Sequence, residues 1–175
     1  IDELQHIPEL IEKMLAHKEN IQYFASRYFN AGDMYFIGRN VDYAASLEAS
    51  LKLKEISYIH SEAYAAGGLK HGPISLIEDG TLVIALATDG RLFDKMMSNI
   101  REVKARGAVV LGLATEDRTE IAEQTDMVFY IPKISPFMLP SLSVIPMQLF
   151  AYYVASMKGC DIDKPRNLAK SVTVE

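Results

Sequence analysis

The chain alternates short, continuously apolar runs with longer stretches in which apolar residues recur at helical spacing. The apolar runs occupy residues 34–37, 82–87, 109–114 and 127–131, and each lies close to a glycine or a proline. Runs of this length without polar alternation are typical of strands that are buried on both faces. They therefore predict buried strands.

Helical periodicity fills most of the chain between these runs. The predicted helices span residues 1–17, 19–29, 41–59, 91–105 and 119–124, and a last buried helix starts near Pro146. Apolar strands joined by helices indicate a parallel sheet that is covered on both faces. We predict an α/β three-layer sandwich with about five strands, built by residues 1–175 as a single domain.

The loops at the carboxyl ends of the predicted strands are where such sheets usually bind ligands. We therefore expect Arg39 and the loops after Ala87 and Ala114 to lie on one rim. The glycine turn before Arg39 leads into a helix, whose free N–H groups could hold an anion. The turn has neither the G-x-G-x-x-G pattern nor a P-loop lysine, so an ordinary strand–helix connection is the favoured interpretation.

Composition and charge narrow the class of protein. The chain is 49% hydrophobic and 23% charged, which allows a substantial core, and its net charge of −5 argues against a nucleic-acid partner. Cys160 is the single cysteine, so no disulfide forms within the chain and a reducing compartment such as the cytoplasm is expected. Metal-ligand spacing is absent, and no metal or cofactor is expected.

One uncharged segment, residues 137–157, is long enough to span a membrane. It contains Pro140 and Pro146 as well as three serines. A buried helix with a proline in its first turn explains this composition better, so we expect no membrane partner.

Candidate chemistry is concentrated in residues 52–73, KLKEISYIHSEAYAAGGLKHGP. Lys52 and Glu55 share a helix face, either as a surface ion pair or as a half-buried pair with the perturbed acidity that proton transfer requires. His71 lies at a chain break and has a side chain suited to acid–base work near neutrality. Lys170 lies in a tail and would have a function only if that tail folds back over a site.

These residues, together with the ending DKPRNLAKSVTVE, resemble the glucosamine-6-phosphate synthase family. The resemblance lies in the second sugar-isomerase (SIS) half of the isomerase domain and covers residues 7–175. It implies a SIS fold, a homodimer and a sugar-phosphate substrate. In this family fructose-6-phosphate and glutamine-derived ammonia are converted into glucosamine-6-phosphate.

The resemblance also implies roles for the matching residues. Glu55 would be the base that moves a proton between C1 and C2 of the sugar, and Lys52 would assist proton transfer around the amino nitrogen. His71 would open the sugar ring and would reach the site from the neighbouring subunit. Lys170 would form a Schiff base with the open ketose, and Ala169 would line the pocket beside it.

The chain also departs from the family pattern. Gly68 stands where a glutamate is usual, and we expect local flexibility there. The family's glutaminase domain and first SIS domain are absent, so we expect a C-terminal fragment that is nearly inactive alone.

Two alternative functions remain open. In a non-catalytic sugar-phosphate sensor, Arg39 would bind the phosphosugar and the Lys52–Glu55 pair would be structural. A SIS deglycase or ketose-phosphate isomerase would share Glu55 and His71. The ending with Lys170 favours the synthase over both.

Overall fold

A five-stranded parallel sheet forms the middle layer of the structure, a computed structural model that describes residues 2–168. The strands are β1 (Asp33–Gly38), β2 (His60–Ala65), β3 (Leu82–Ala87), β4 (Val109–Thr115) and β5 (Met127–Ile131). Their order across the sheet is β2-β1-β3-β4-β5, and every neighbouring pair is parallel. The predicted α/β sandwich with about five parallel strands is therefore confirmed.

Helices cover both faces of this sheet. The α-helices are α1 (Asp2–Leu15), α2 (Lys18–Tyr28), α3 (Val41–Ser57), α4 (Phe93–Lys104) and α5 (Leu139–Met157). Short 3-10 helices occupy Ala66–His71, Pro73–Leu76 and Thr119–Glu123. Helices α1, α2, α3 and α5 pack on one face, whereas α4 and the 3-10 helices pack on the other.

Alternate side chains of each strand enter two separate cores. In β1, Met34 and Phe36 belong to the core beneath α3 and α5, whereas Tyr35 and Ile37 belong to the core beneath α4. All six residues of β3 are buried. This two-sided burial explains why the sequence of the central strands is continuously apolar.

Strand β2 was not predicted, because its sequence, HSEAYA, lacks an apolar run. The strand lies at the edge of the sheet and pairs only with β1 among the described strands, so its exposed side tolerates polar residues. Helix α3 ends at Ser57, and Tyr58 follows with φ of 60°. His60 is the first residue of β2, and its Nδ1 lies 2.6 Å from Asp33 Oδ1.

The prediction that the last helix starts near Pro146 was wrong. Helix α5 begins at Leu139, Pro140 lies in its first turn, and Pro146 lies inside it. Leu139, Leu142 and Pro146 are all buried against the core, and this burial stabilises the helix despite the hydrogen bond lost at Pro146. Within residues 2–168, no helix has the length and apolarity needed to cross a membrane.

Candidate active site on helix α3

Lys52 and Glu55 form an ion pair on the C-terminal half of α3. Lys52 Nζ donates to Glu55 Oε2 at 2.6 Å and lies 3.7 Å from Glu48 Oε1. The side chains of Lys52 and Glu55 are 33% and 27% exposed, and that of Glu48 is 45% exposed. The pair thus lies where the buried side of α3 meets solvent, which is where a ligand can reach it.

The ion pair fixes the charge of Lys52. The hydrogen bond to Glu55 raises the pKa of Lys52, although partial burial opposes this effect. Lys52 is therefore an ammonium ion near neutral pH. It occupies one oxygen of Glu55, while the other, Oε1, accepts no hydrogen bond from any residue in the described part of the chain. That oxygen is available to accept a proton from a ligand.

The C-terminal segment returns to the end of α3. The backbone N–H of Arg166 donates to the Tyr58 hydroxyl at 2.9 Å, and the Arg166 guanidinium lies 4.0 Å from the centroid of the Tyr58 ring. Tyr58 is three residues beyond Glu55, so the tail is anchored close to the ion pair. The sequence gives no signal for this contact, because tyrosine at a helix end is compatible with many surroundings. The predicted site residues Ala169 and Lys170 lie outside the described residues.

His71 lies on the other side of the sheet from this pair. It is the last residue of the 3-10 helix Ala66–His71, which packs into the α4-side core through Ala66 and Leu69, and its side chain is exposed. Helix α3 packs into the opposite core, for example through Leu53. A single chain therefore does not bring His71 together with Glu55.

Arg39 is also separated from the ion pair. It follows β1 at the start of α3, whereas Glu55 lies near the other end, about 20 Å along the helix axis. The Arg39 side chain points to the α4 face, where its Nε donates to Asn99 Oδ1 at 3.0 Å. Arg39 and Glu55 therefore belong to different surfaces of the molecule.

The predicted rim at the carboxyl edge of the sheet is confirmed. Asn40 Nδ2 donates to Asp89 Oδ2 at 3.1 Å, and Arg118 Nη2 lies 3.5 Å from the carbonyl oxygen of Gly90, so the loops after β1, β3 and β4 meet. Carboxylates occupy the start of α3, since Asp42 lies in its first turn beside Asp89. This arrangement supports an ordinary strand–helix connection rather than an anion site at that helix start.

Asp42 is a residue of the rim that the sequence analysis missed. Its Oδ2 accepts hydrogen bonds from the backbone N–H groups of Thr88, at 2.8 Å, and Asp89, at 3.0 Å. Its Oδ1 accepts the Thr88 hydroxyl. An acidic residue in the first turn of a helix is common, so nothing in the sequence points to partners 46 and 47 residues away.

Comparison with known proteins shows the family to which this chain belongs. The chain is 57% identical to glutamine–fructose-6-phosphate aminotransferase (isomerizing) from Caldanaerobacter subterraneus over 175 residues, which is all of this chain and 29% of that relative. It is also 57% identical to the protein of the same name from Clostridium acetobutylicum over 169 residues, 28% of that relative. The chain thus spans less than a third of the length of these relatives.

A solved structure supports the same relationship. The C-terminal domain of glucosamine-fructose-6-phosphate aminotransferase from Francisella tularensis superposes with a TM-score of 0.88 at 35% identity, covering 94% of this chain and 47% of that one. The resemblance noted in the sequence is therefore confirmed. The SIS domain model matches residues 27–158, which include the whole sheet, α3 and α4. By this match the chain belongs to the SIS domain family.

Proposed function

We propose that the chain carries the proton-transfer residues of a glutamine–fructose-6-phosphate aminotransferase. Such an enzyme converts fructose-6-phosphate and glutamine-derived ammonia into glucosamine-6-phosphate. The observation that carries the proposal is the Lys52–Glu55 pair at 2.6 Å, which leaves one carboxylate oxygen free beside the anchored tail. The 57% identity over the whole chain supports this choice among SIS activities.

Glu55 is proposed to move the proton that converts the ketose imine into the aldose. Its free Oε1 takes the proton from C1 of the imine, the C1–H electrons form a C1–C2 double bond, and the C2–N double bond becomes single. The same oxygen then returns the proton to C2, the C1–C2 double bond becomes single, and the C1 hydroxyl gives up its proton to become the aldehyde carbonyl, while the nitrogen on C2 gains a proton. Lys52 holds the other oxygen, which fixes the orientation of the carboxylate, and its ammonium group assists proton transfer around the amino nitrogen.

The anchored tail supports the proposal that Lys170 reaches this site. Lys170 follows Arg166 by four residues, and four extended residues span about 14 Å. The anchor at Tyr58 lies one helical turn from Glu55, so this reach covers the ion pair. Lys170 is proposed to form a Schiff base with the open ketose with loss of water, and ammonia is proposed to displace the Lys170 amine and leave the ketose imine. Ala169 is proposed to line the pocket beside Lys170.

His71 is proposed to act in the site of a neighbouring subunit. Its position on the opposite face of the sheet from Glu55 supports this role, because it leaves one chain without a ring-opening group beside the ion pair. A homodimer follows from this proposal. The glutaminase domain and a first SIS domain are its further proposed partners, and the cytoplasm is the proposed location, in keeping with Cys160 as the single cysteine.

The test is a chimera in which this chain replaces the matching segment of the Caldanaerobacter subterraneus relative. We expect the chimera to form glucosamine-6-phosphate from fructose-6-phosphate. Glu55→Gln should lower kcat by about 100-fold or more, because the amide cannot accept the proton, while KM for fructose-6-phosphate changes little.

Glu48→Gln is the matched control. It changes a glutamate on the same helix that also faces Lys52, but at 3.7 Å and with greater exposure, so kcat should stay within about threefold. An inactive chimera beside an active parent, or full activity of the Glu55→Gln chimera, would contradict the proposal. The first result would favour the non-catalytic sensor, and the second would mean that a group other than the Glu55 carboxylate moves the proton.

A further inference from the structure

A polar cavity lies on the α4 side of the sheet, between α4 and the 3-10 helix Ala66–His71. Its volume is about 220 Å³, and its lining includes Arg39, Lys70, Lys95 and Glu102. Three cations and one carboxylate give this basic cleft a formal charge of +2, although the whole chain carries −5. Positive charge is therefore concentrated here against the overall trend of the molecule.

A buried amide fixes the orientation of Arg39 in the basic cleft. Asn99 is 4% exposed, its Oδ1 accepts the Nε–H of Arg39 at 3.0 Å, and its Nδ2 donates to Glu102 Oε2 at 3.2 Å. Within residues 2–168, neither Nη group of Arg39 donates a hydrogen bond. Both Nη groups of Arg39 are thus held in position, and both can donate hydrogen bonds to a ligand.

Gly67 provides the space that this fork occupies. A Cβ atom at Gly67 would lie 3.0 Å from both Nη1 and Nη2 of Arg39, which is closer than ordinary packing allows. At the adjacent Gly68, a Cβ atom would meet nothing within 4 Å. A side chain at the first glycine, but not at the second, would push the fork out of position.

The single carboxylate neutralises only part of the charge. Partial burial would raise the pKa of Glu102, but hydrogen bonds from Lys70 and Asn99 outweigh it and lower that pKa, so Glu102 is ionised at neutral pH. Lys70 Nζ lies 2.8 Å from Glu102 Oε1. Lys95 forms no ion pair with any described residue. Arg39 and Lys95 are left as the uncompensated cations.

We propose that the basic cleft binds a phosphate group, as inorganic phosphate or as the phosphate of a metabolite. The guanidinium fork of Arg39 matches two phosphate oxygens, and Lys95 and the Ser98 hydroxyl, which also line the cleft, complete the contacts. The basic cleft and Glu55 lie on opposite faces of the sheet. The phosphate bound here is therefore not that of a sugar held at Glu55 of the same chain.

The experiment is a titration of the ¹⁵N-labelled chain with inorganic phosphate at constant ionic strength, followed by amide chemical shifts. We expect saturable shifts at Gly67, Lys70 and Ser98. Lys95→Gln and Arg39→Ala should each weaken binding by about tenfold or more, because each removes a charge-assisted contact. Lys95 is exposed, so its variant tests the cleft even if Arg39→Ala folds poorly.

Two matched controls separate a defined site from general charge effects. Lys133→Gln removes one cation that is paired with Asp117, away from the basic cleft, and should leave the affinity within about twofold. Gly67→Ala should weaken binding and Gly68→Ala should not. The absence of saturable shifts in the cleft, or equal weakening by Lys95→Gln and Lys133→Gln, would overturn the proposal.

A second titration, with fructose-6-phosphate, distinguishes the sources of the phosphate. Tighter binding than inorganic phosphate at the same amides would assign a phosphorylated metabolite, and equal affinity would assign the free anion; either result supports the site. Repeating the inorganic phosphate titration on the Glu55→Gln chain separates this proposal from the proposed catalytic function. The cleft shifts should be unchanged there, and their loss would overturn the proposal of an independent site.

Discussion

At the scale of single residues, Asp42 joins two loops at the carboxyl edge of the sheet. The side chain is 2% exposed, and burial raises its pKa although hydrogen bonds from Thr88 and Asp89 oppose the shift. A buried carboxylate that costs desolvation energy is retained here because it satisfies two backbone N–H groups at once. The hydrogen bonds are thus more important to the structure than the charge.

Replacing Asp42 tests this separation of hydrogen bonding from charge. In Asp42→Asn, the amide oxygen can accept both backbone N–H groups and the amide nitrogen can donate to the Thr88 hydroxyl. We expect its free energy of unfolding at pH 7 to lie within about 1 kcal/mol of the unaltered chain. Asp42→Ala leaves the donors unsatisfied and should lose about 2 to 3 kcal/mol, measured by urea denaturation.

The raised pKa of Asp42 also predicts the pH dependence. The folded state binds the proton more tightly than the unfolded state, where the pKa is near 3.8. The part of the stability that is linked to protonation of Asp42 is therefore complete below pH 3.8 and is lost as pH rises through the folded-state pKa. Relative to Asp42→Asn, the unaltered chain should gain stability on acidification; a constant difference between the two would contradict the burial argument.

Local side-chain pairs could be predicted from the sequence, but distant ones could not. Lys52 and Glu55 are three residues apart on a helix, so their contact follows from helix geometry. Arg39 and Asn99 are 60 residues apart, and Asp42 and Thr88 are 46 apart. Their contacts depend on which strands become neighbours, and no local pattern contains that information.

At the scale of elements, the contact between the end of β1 and the start of α3 depends on Gly38. A Cβ atom at Gly38 would lie 2.4 Å from the backbone carbon and oxygen of Asp42, closer than any real contact. The clash involves backbone atoms, so no side-chain movement can relieve it. The tight connection between this strand and this helix therefore requires glycine.

Gly38→Ala should destabilise the chain by about 2 kcal/mol or more, because α3 must move away from β1. Gly32, just before β1, is the matched control, since a Cβ atom there would meet nothing within 4 Å. Gly32→Ala should change the free energy of unfolding by less than about 1 kcal/mol. If the two changes lowered the free energy of unfolding equally, in thermal or urea unfolding, the close contact at Gly38 would not be what determines stability there.

The central elements could be predicted closely, whereas those shaped by tertiary contacts could not. The predicted limits of β3 agree with the structure, because burial on both faces makes this strand uniformly apolar. Those of β5 agree as well, although β5 lies at one edge of the sheet and is only partly buried. Edge strand β2 lacks that signal. Helix α5 continues through Pro146 because its residues pack against the core. The sequence pattern alone predicts a proline at the start of a helix, not inside it.

At the scale of the whole molecule, the separation of His71 from Glu55 predicts shared sites in a dimer. Chimeric proteins carrying Glu55→Gln or His71→Ala should each be inactive as pure dimers. If His71 acts in the neighbouring subunit, each mixed dimer regains one complete site, and random mixing should restore about a quarter of the unaltered activity.

The measurement is glucosamine-6-phosphate formation after the two variants are dissociated together and reassembled. Each variant treated alone is the control for activity recovered by the procedure itself. No recovery in the mixture would mean that both residues serve the same subunit. In that case His71 would have to reach Glu55 of its own subunit around the edge of the sheet.

The sandwich architecture and the shared rim could be predicted because parallel strands place their carboxyl ends together. The position of Arg39 relative to Glu55 could not. Both lie on or beside one predicted helix, but the length of α3 and the direction of the Arg39 side chain place them on different faces. Distances of this kind follow only from the packed helices and strands.

The contact between Tyr58 and Arg166 also has a kinetic consequence. It fixes the chain at Arg166, four residues before Lys170, close to the end of α3. A group on so short a tether has an effective concentration in the millimolar range or above. If Lys170 forms the proposed Schiff base, the anchor at Tyr58 would therefore favour that step through a high effective concentration of the amine near the bound ketose.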